Sequence, residues 1–84
     1  MTYHVDVAPS AKKELGALPA QMVRRITEAL EGLADNPRPH GCLKLQGEEN
    51  LYRIRVGKYR VVYEIHDKQV FVLVVRIRHR KDVY

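Results

Sequence analysis

The chain has 84 residues, enough for one small domain whose single core lies near the lower practical size. Fifteen Lys and Arg against ten Asp and Glu leave a net charge of +5, and the lone cysteine, Cys42, excludes an internal disulfide and fits a reducing cytoplasm. No apolar run approaches membrane-spanning length, and the first residues lack the basic stretch and apolar run of a signal peptide, so neither a membrane nor a secretory role is expected.

Thr2 to Val7 alternates Tyr3, Val5 and Val7 with polar residues, the period-2 pattern of a strand. Pro9 suits the first turn of a helix, where its missing N–H costs nothing. That helix is expected to run to about Ala17, with Leu18-Pro19 as the break. A second helix is expected over Ala20 to Ala34, where Met22, Val23, Ile26, Leu30 and Leu33 keep the three-and-four spacing of one buried stripe. Asp35-Asn36-Pro37 closes it, because the residue before a proline avoids the helical region. Residues 36–50 read as a loop with two prolines and two glycines, Leu43 and Leu45 tucked inward.

Three strands follow, over about 51–56, 59–66 and 69–77. Tyr52, Ile54 and Val56 alternate with Arg53 and Arg55; after Gly57-Lys58, Tyr59, Val61 and Tyr63 alternate with Arg60. A two-residue Gly-X turn sets Val56 against Tyr59 and Arg55 against Arg60. Like charges directly opposite on a sheet are destabilising, so this face is expected to meet a polyanion. The three tyrosines fall on the apolar face and read as core.

In the last strand Phe71, Leu73, Val75 and Ile77 form one face, and Val70, Val72, Val74, Arg76 and Arg78 the other. A two-residue connection at Asp67-Lys68 puts Arg60 with Phe71 and Val75; a three-residue one puts it with Arg76 and Arg78. The second is favoured because it buries the larger apolar set and gathers the arginines. The whole is a single α+β domain over residues 1–84: an N-terminal strand, a two-helix hairpin, a three-stranded antiparallel sheet and a short C-terminal tail. Charge is unevenly placed along it. Residues 1–49 carry six basic and seven acidic groups, residues 50–84 nine and three, a footprint that fits nucleic acid better than membrane.

Leu43-Lys44-Leu45, the run from Tyr52 through Gly57-Lys58-Tyr59-Arg60 to Tyr63, and the tail Arg78-His79-Arg80-Lys81-Asp82-Val83-Tyr84 together resemble the RelE/ParE superfamily of toxins. The N-terminal strand and the Pro19-punctuated helix pair stand in the same order, so the resemblance covers essentially the whole chain. For the RelE type it implies a cytoplasmic, ribosome-dependent mRNA endonuclease that cuts in the ribosomal A site. Its implied partners are the ribosome, mRNA and a cognate antitoxin, RelB-like or other, in a toxin–antitoxin hetero-oligomer.

The same resemblance implies the site. Arg53 and Arg55 occupy positions where the RelE type commonly has lysines, Arg60 matches the arginine of its Tyr-Arg strand, Arg78 the arginine after the last strand, and Tyr84 the terminal tyrosine. Such a set fits attack by the RNA's own 2′-OH, with guanidiniums stabilising the phosphate and Tyr84 positioning the nucleotide. Because arginine stays protonated, the general base is open, and His79 is the best titratable candidate, imidazole ordinarily titrating near neutral pH. Lys58, Arg76, Arg80 and Lys81 are expected to contact RNA. No metal or other cofactor is expected, since Glu64, Asp67 and Asp82 lack the clustering a divalent ion needs. The alternative is a ParE-type toxin that blocks gyrase without cutting RNA.

Overall fold

In the computed structural model, which describes residues 2–82, the expected elements form in the expected order. Strand β1 (His4–Val7) leads into helices α1 (Pro9–Gly16) and α2 (Ala20–Asp35). A two-residue β2 (Leu43–Lys44) precedes β3 (Leu51–Val56), β4 (Tyr59–His66) and β5 (Phe71–His79), with 3-10 turns at Asp67–Gln69 and Arg80–Asp82. Pro9 stands in the first turn of α1, as its fixed φ favours. Helix α2 buries Ile26, Leu30 and Leu33 and stops where Asn36 turns extended ahead of Pro37.

The sheet runs β1-β5-β4-β3-β2, with β1 parallel to β5 and every other pair antiparallel. It therefore has five strands instead of a three-stranded sheet beside a separate N-terminal strand. The added edge, Leu43–Lys44 against Arg53 and Tyr52, is too short to show a period in sequence. Its pairing also overturns the inward placement of Leu43. Cross-strand partners share a face, so Leu43 stands on the side of Arg53 and is 51% exposed.

Two connections set the register. At the β3–β4 turn Val56 faces Tyr59 and Arg55 faces Arg60, as a two-residue Gly-X turn requires. Gly57 takes φ +61° there, and a Cβ on it would come within 3.0 Å of the Met22 methyl on α2. The β4–β5 connection is longer than expected. His66 pairs with Phe71, so residues 67–70 form a four-residue link closed by Val70 in the left-handed region at φ 52°.

A register shift between Val62 and Tyr63 then compensates. Tyr63 pairs with Val74 but Val62 pairs with Arg76, so Val75 is the extra residue of a β-bulge. Sequence parity assigned Val72 and Val74 to one face and Ile77 to the other. The bulge brings all three into the core, and it puts Phe71 and Leu73 on the side of Arg76 and Arg78. Arg60 does join Arg76 and Arg78, but through a four-residue link plus a bulge.

The core is one cluster on the helix side of the sheet: Ile26, Leu30 and Leu33 from α2, Ala11 from α1, and Ile54, Val56, Val61, Tyr63, Ile65, Val72, Val74 and Ile77 from the strands. Tyr52 and Tyr59 pack against it. The Tyr63 hydroxyl, buried, donates to the Pro37 carbonyl at 2.8 Å and lies 3.2 Å from Cys42 Sγ; burial and that thiol push its pKa up. No helix among the described residues is long and apolar enough to cross a membrane.

Candidate nucleic-acid interface

Facing away from the helices, the sheet presents two ladder rows rich in arginine. Arg55, Arg60 and Arg78 oppose one another across β3, β4 and β5. The next row holds Arg53, Val62 and Arg76, with Leu43 at its β2 end. Neighbouring strands lie about 4.8 Å apart, so the five arginines rise from adjacent ladder positions on a patch that one phosphodiester and its neighbours would span. The side chains of Arg76 and Arg78 are 51% and 42% exposed. Arg60, in the middle of the row, is half-buried and Arg55 is exposed.

The hairpin turn and the tail add a basic rim beside this patch. The Lys58 carbonyl accepts the Arg80 N–H at 2.9 Å, which seats the Arg80–Asp82 turn against the β3–β4 turn. Lys58, Arg80 and Lys81 are all exposed there. A cleft of about 620 Å³ opens on the other flank, between α2, the Pro39–Gly41 loop and the β3 edge, and Arg53, Ile54 and Arg55 line it.

His79 is not brought together with the arginines. It pairs with Tyr59, whose ring it meets edge-on at 5.3 Å, on the helix side of the strand from which Arg78 points away. Its Nδ1 accepts the Lys81 N–H at 3.2 Å. The physical reason is strand parity: β5 runs on to His79, two residues beyond its expected end, so neighbours 78 and 79 point to opposite faces. Tyr84 lies outside the described residues.

A residue the sequence reading passed over does reach the patch. Glu14 on α1 accepts from Arg78 Nε at 2.9 Å with one carboxylate oxygen and from the Ile77 N–H at 2.9 Å with the other. Nothing in the sequence links positions 14 and 78; only the packing of α1 on β5 does.

The model of the ParE toxin of type II toxin–antitoxin systems matches residues 5–84. The chain belongs to this toxin family. Among its relatives in the family, the toxin RelE of Mycobacterium tuberculosis is 34% identical over 83 residues, covering 98% of this chain and 86% of that one. The mRNA interferase toxin RelE of Escherichia coli K12 is 31% identical over 88 residues, covering 100% and 92%. The fold agrees. The archaeal RelE–RelB complex of Pyrococcus horikoshii contains a chain that superposes with a TM-score of 0.86 at 32% identity, covering 99% of this chain and 100% of that one.

Proposed function

We propose that this toxin is a metal-free endoribonuclease of the RelE type that cleaves mRNA in the ribosomal A site. The observation that carries the reading is the row Arg55–Arg60–Arg78 with Arg53 and Arg76 beside it on one open face. The likeness to a protein named mRNA interferase supports it. In the proposed reaction the 2′-OH attacks the adjacent phosphate in line, a 2′,3′-cyclic phosphate forms, and the 5′ oxygen leaves with a proton. Arg55, Arg60 and Arg78 donate to the non-bridging oxygens as charge builds on the phosphorane, the stage at which fixed donors contribute most. Arg53, Arg76, Lys58, Arg80 and Lys81 hold the flanking backbone, and Tyr84 positions the nucleotide.

Since guanidiniums remain protonated, none of the five serves as base. The site works by alignment and electrostatics, and its proton acceptor is not among them. The proposed partners are the ribosome, its mRNA and a RelB-like antitoxin, such as accompanies the Pyrococcus neighbour. The antitoxin would lay an acidic segment over the arginine rows and so compete with RNA for the same charge. The setting is cytoplasmic.

Primer extension on a defined mRNA in a reconstituted translation system tests the reading, with wild type and Arg78→Ala compared in the presence and absence of ribosomes. Cuts at A-site codons that need both ribosomes and Arg78 are expected. The ParE description of the family favours a second reading, a gyrase-directed toxin without nuclease activity. Uncut message together with DNA damage and filamentation on expression would establish that one instead.

A further inference from the structure

Helix α1 lies against the part of β5 that β1 leaves uncovered. β1 pairs with Phe71 to Val74 and stops. Beyond that point side chains of α1 replace a strand: Ser10 Oγ donates to the Val75 carbonyl at 3.3 Å, and Glu14 Oε1 accepts the Ile77 N–H at 2.9 Å. Capping this edge takes one oxygen of Glu14. The second oxygen, Oε2, accepts from Arg78 Nε at 2.9 Å, with Arg76 Nη1 3.9 Å away.

The choice of donor matters. Nε is the guanidinium nitrogen nearest the stem, so a carboxylate there fixes the rotation of the planar group and leaves both terminal amino groups free to form a fork. The carboxylate is itself fixed, by the Ile77 backbone on its other oxygen and by burial that leaves the Glu14 side chain 23% exposed. A long, flexible side chain at a row of like charges is thereby held in one direction before any anion arrives, which removes an ordering cost from the transition state.

We propose that Glu14 is a positioning residue: by taking the Nε–H it aims the terminal amino groups of Arg78 at the phosphate bound over Arg55 and Arg60. The proposal rests on the endoribonuclease reading above.

Single-turnover cleavage on mRNA-programmed ribosomes separates this from simple edge capping. Glu14→Gln keeps an oxygen for the Ile77 N–H but loses the charge that binds Arg78. The cleavage rate constant is expected to fall roughly 10- to 100-fold, with half-saturation in ribosomes moving less than about twofold. Ser10→Ala removes the other edge bond without touching Arg78, and its cleavage is expected to stay within about twofold of wild type. The deciding measurement is a double-mutant cycle with Arg78→Lys, which has no Nε–H to hold. In that background Glu14→Gln is expected to change the rate less than about twofold, whereas an additive loss overturns the proposal.

If Glu14→Gln does not fold, Glu14→Asp is used in the same cycle, since it keeps the charge but is too short to span both partners. A wild-type rate for it overturns the proposal. Message left uncut by the wild type defeats the endoribonuclease reading itself, and an Arg78→Ala that cuts like wild type defeats the role of Arg78 and with it that of Glu14. An inactive Arg78→Ala beside a fully active Glu14→Gln defeats only the role of Glu14.

Discussion

At one end of the open sheet face, His66, Phe71 and His4 stand side by side across β4, β5 and β1, their rings stacked at 6.1 and 5.8 Å, and Glu64 holds His66 at 2.8 Å. At the other end the same strands β4 and β5, joined by β3, set Arg55, Arg60 and Arg78 directly opposite one another. The first arrangement is what cross-strand packing favours, with ring against ring and acid beside imidazole. In the second, every cross-strand neighbour in the row repels. A sheet selected for stability alone would not differ so sharply between its two ends. The bulge at Val75 marks the boundary, and it lets the core stay apolar while the arginines gather on the far side.

Substitutions at the two ends should therefore separate activity from stability. Arg60→Ala and Arg78→Ala are expected to lower the ribosome-dependent cleavage rate by roughly 100- to 1,000-fold, the scale of losing one donor to a developing oxyanion. Both should remain folded, as judged by urea denaturation, with Arg78→Ala losing up to about 1 kcal/mol because it takes the partner from one oxygen of Glu14. Glu64→Gln and His66→Gln at the other end are expected to leave cleavage within about twofold. If these cut as poorly as Arg78→Ala, the two ends are not functionally distinct.

Gly57→Ala bears on the arginine end alone. The added methyl meets the Met22 side chain at 3.0 Å, and φ +61° is a region that an L-residue enters at a cost of about 1–2 kcal/mol. Unfolding free energy should drop by about that much, and cleavage should fall as well, because the turn sets Arg55 against Arg60. Arg55→Thr should act in the opposite direction on stability. Removing one member of a like-charge row is expected to raise unfolding free energy by about 0.2–1 kcal/mol while reducing cleavage. A variant that loses stability here would mean the arginines are already neutralised within the fold.

How far the sequence disclosed this molecule depends on the range of the interactions involved. The register at Gly57 was legible because a two-residue turn admits one pairing, and the stripe of α2 was legible because Ile26, Leu30 and Leu33 lie within three turns. The parity of β5 was not, because Val70 to Val75 is apolar on both faces and a run of that kind carries no period to betray an extra residue. The face of His79, which belongs with Tyr59 and the helix side, was hidden by the end of β5, since the strand runs two residues past the point where its apolar alternation stops. Glu14 was illegible for a different reason. Nothing beside it in a short helix marks it out, and only the end of β1 at Val7 explains why a carboxylate is needed beside Ile77 and Arg78. Of the proposed RNA-contacting set, the arginine positions came from local alternation and the tail residues from the resemblance alone.

The smallest expected effect lies past the ring-stacked end, at the β4–β5 link. Asp67 there accepts both terminal nitrogens of Arg38, at 3.2 and 2.8 Å, and the Tyr3 hydroxyl at 2.7 Å. The Arg38 guanidinium, then the Tyr3 hydroxyl, hold the Asp67 carboxyl at about 2, below its ordinary range. A carboxyl depressed by folding contributes stability that is fully present above its unfolded pKa, about 3.9, and is lost as pH falls through its folded one. The window is therefore about pH 4 to 2. Because the pair is exposed to solvent, its contribution should be modest and screened by salt. Denaturation curves across that window should show wild type converging on Asp67→Asn as the pH drops, with the gap between them open at pH 7 and narrower at high ionic strength. A gap that stays constant down to pH 2 would mean that Asp67 ties the link through its hydrogen-bond geometry, with its charge playing no part, and the ring-stacked end would then owe nothing to electrostatics at its turn.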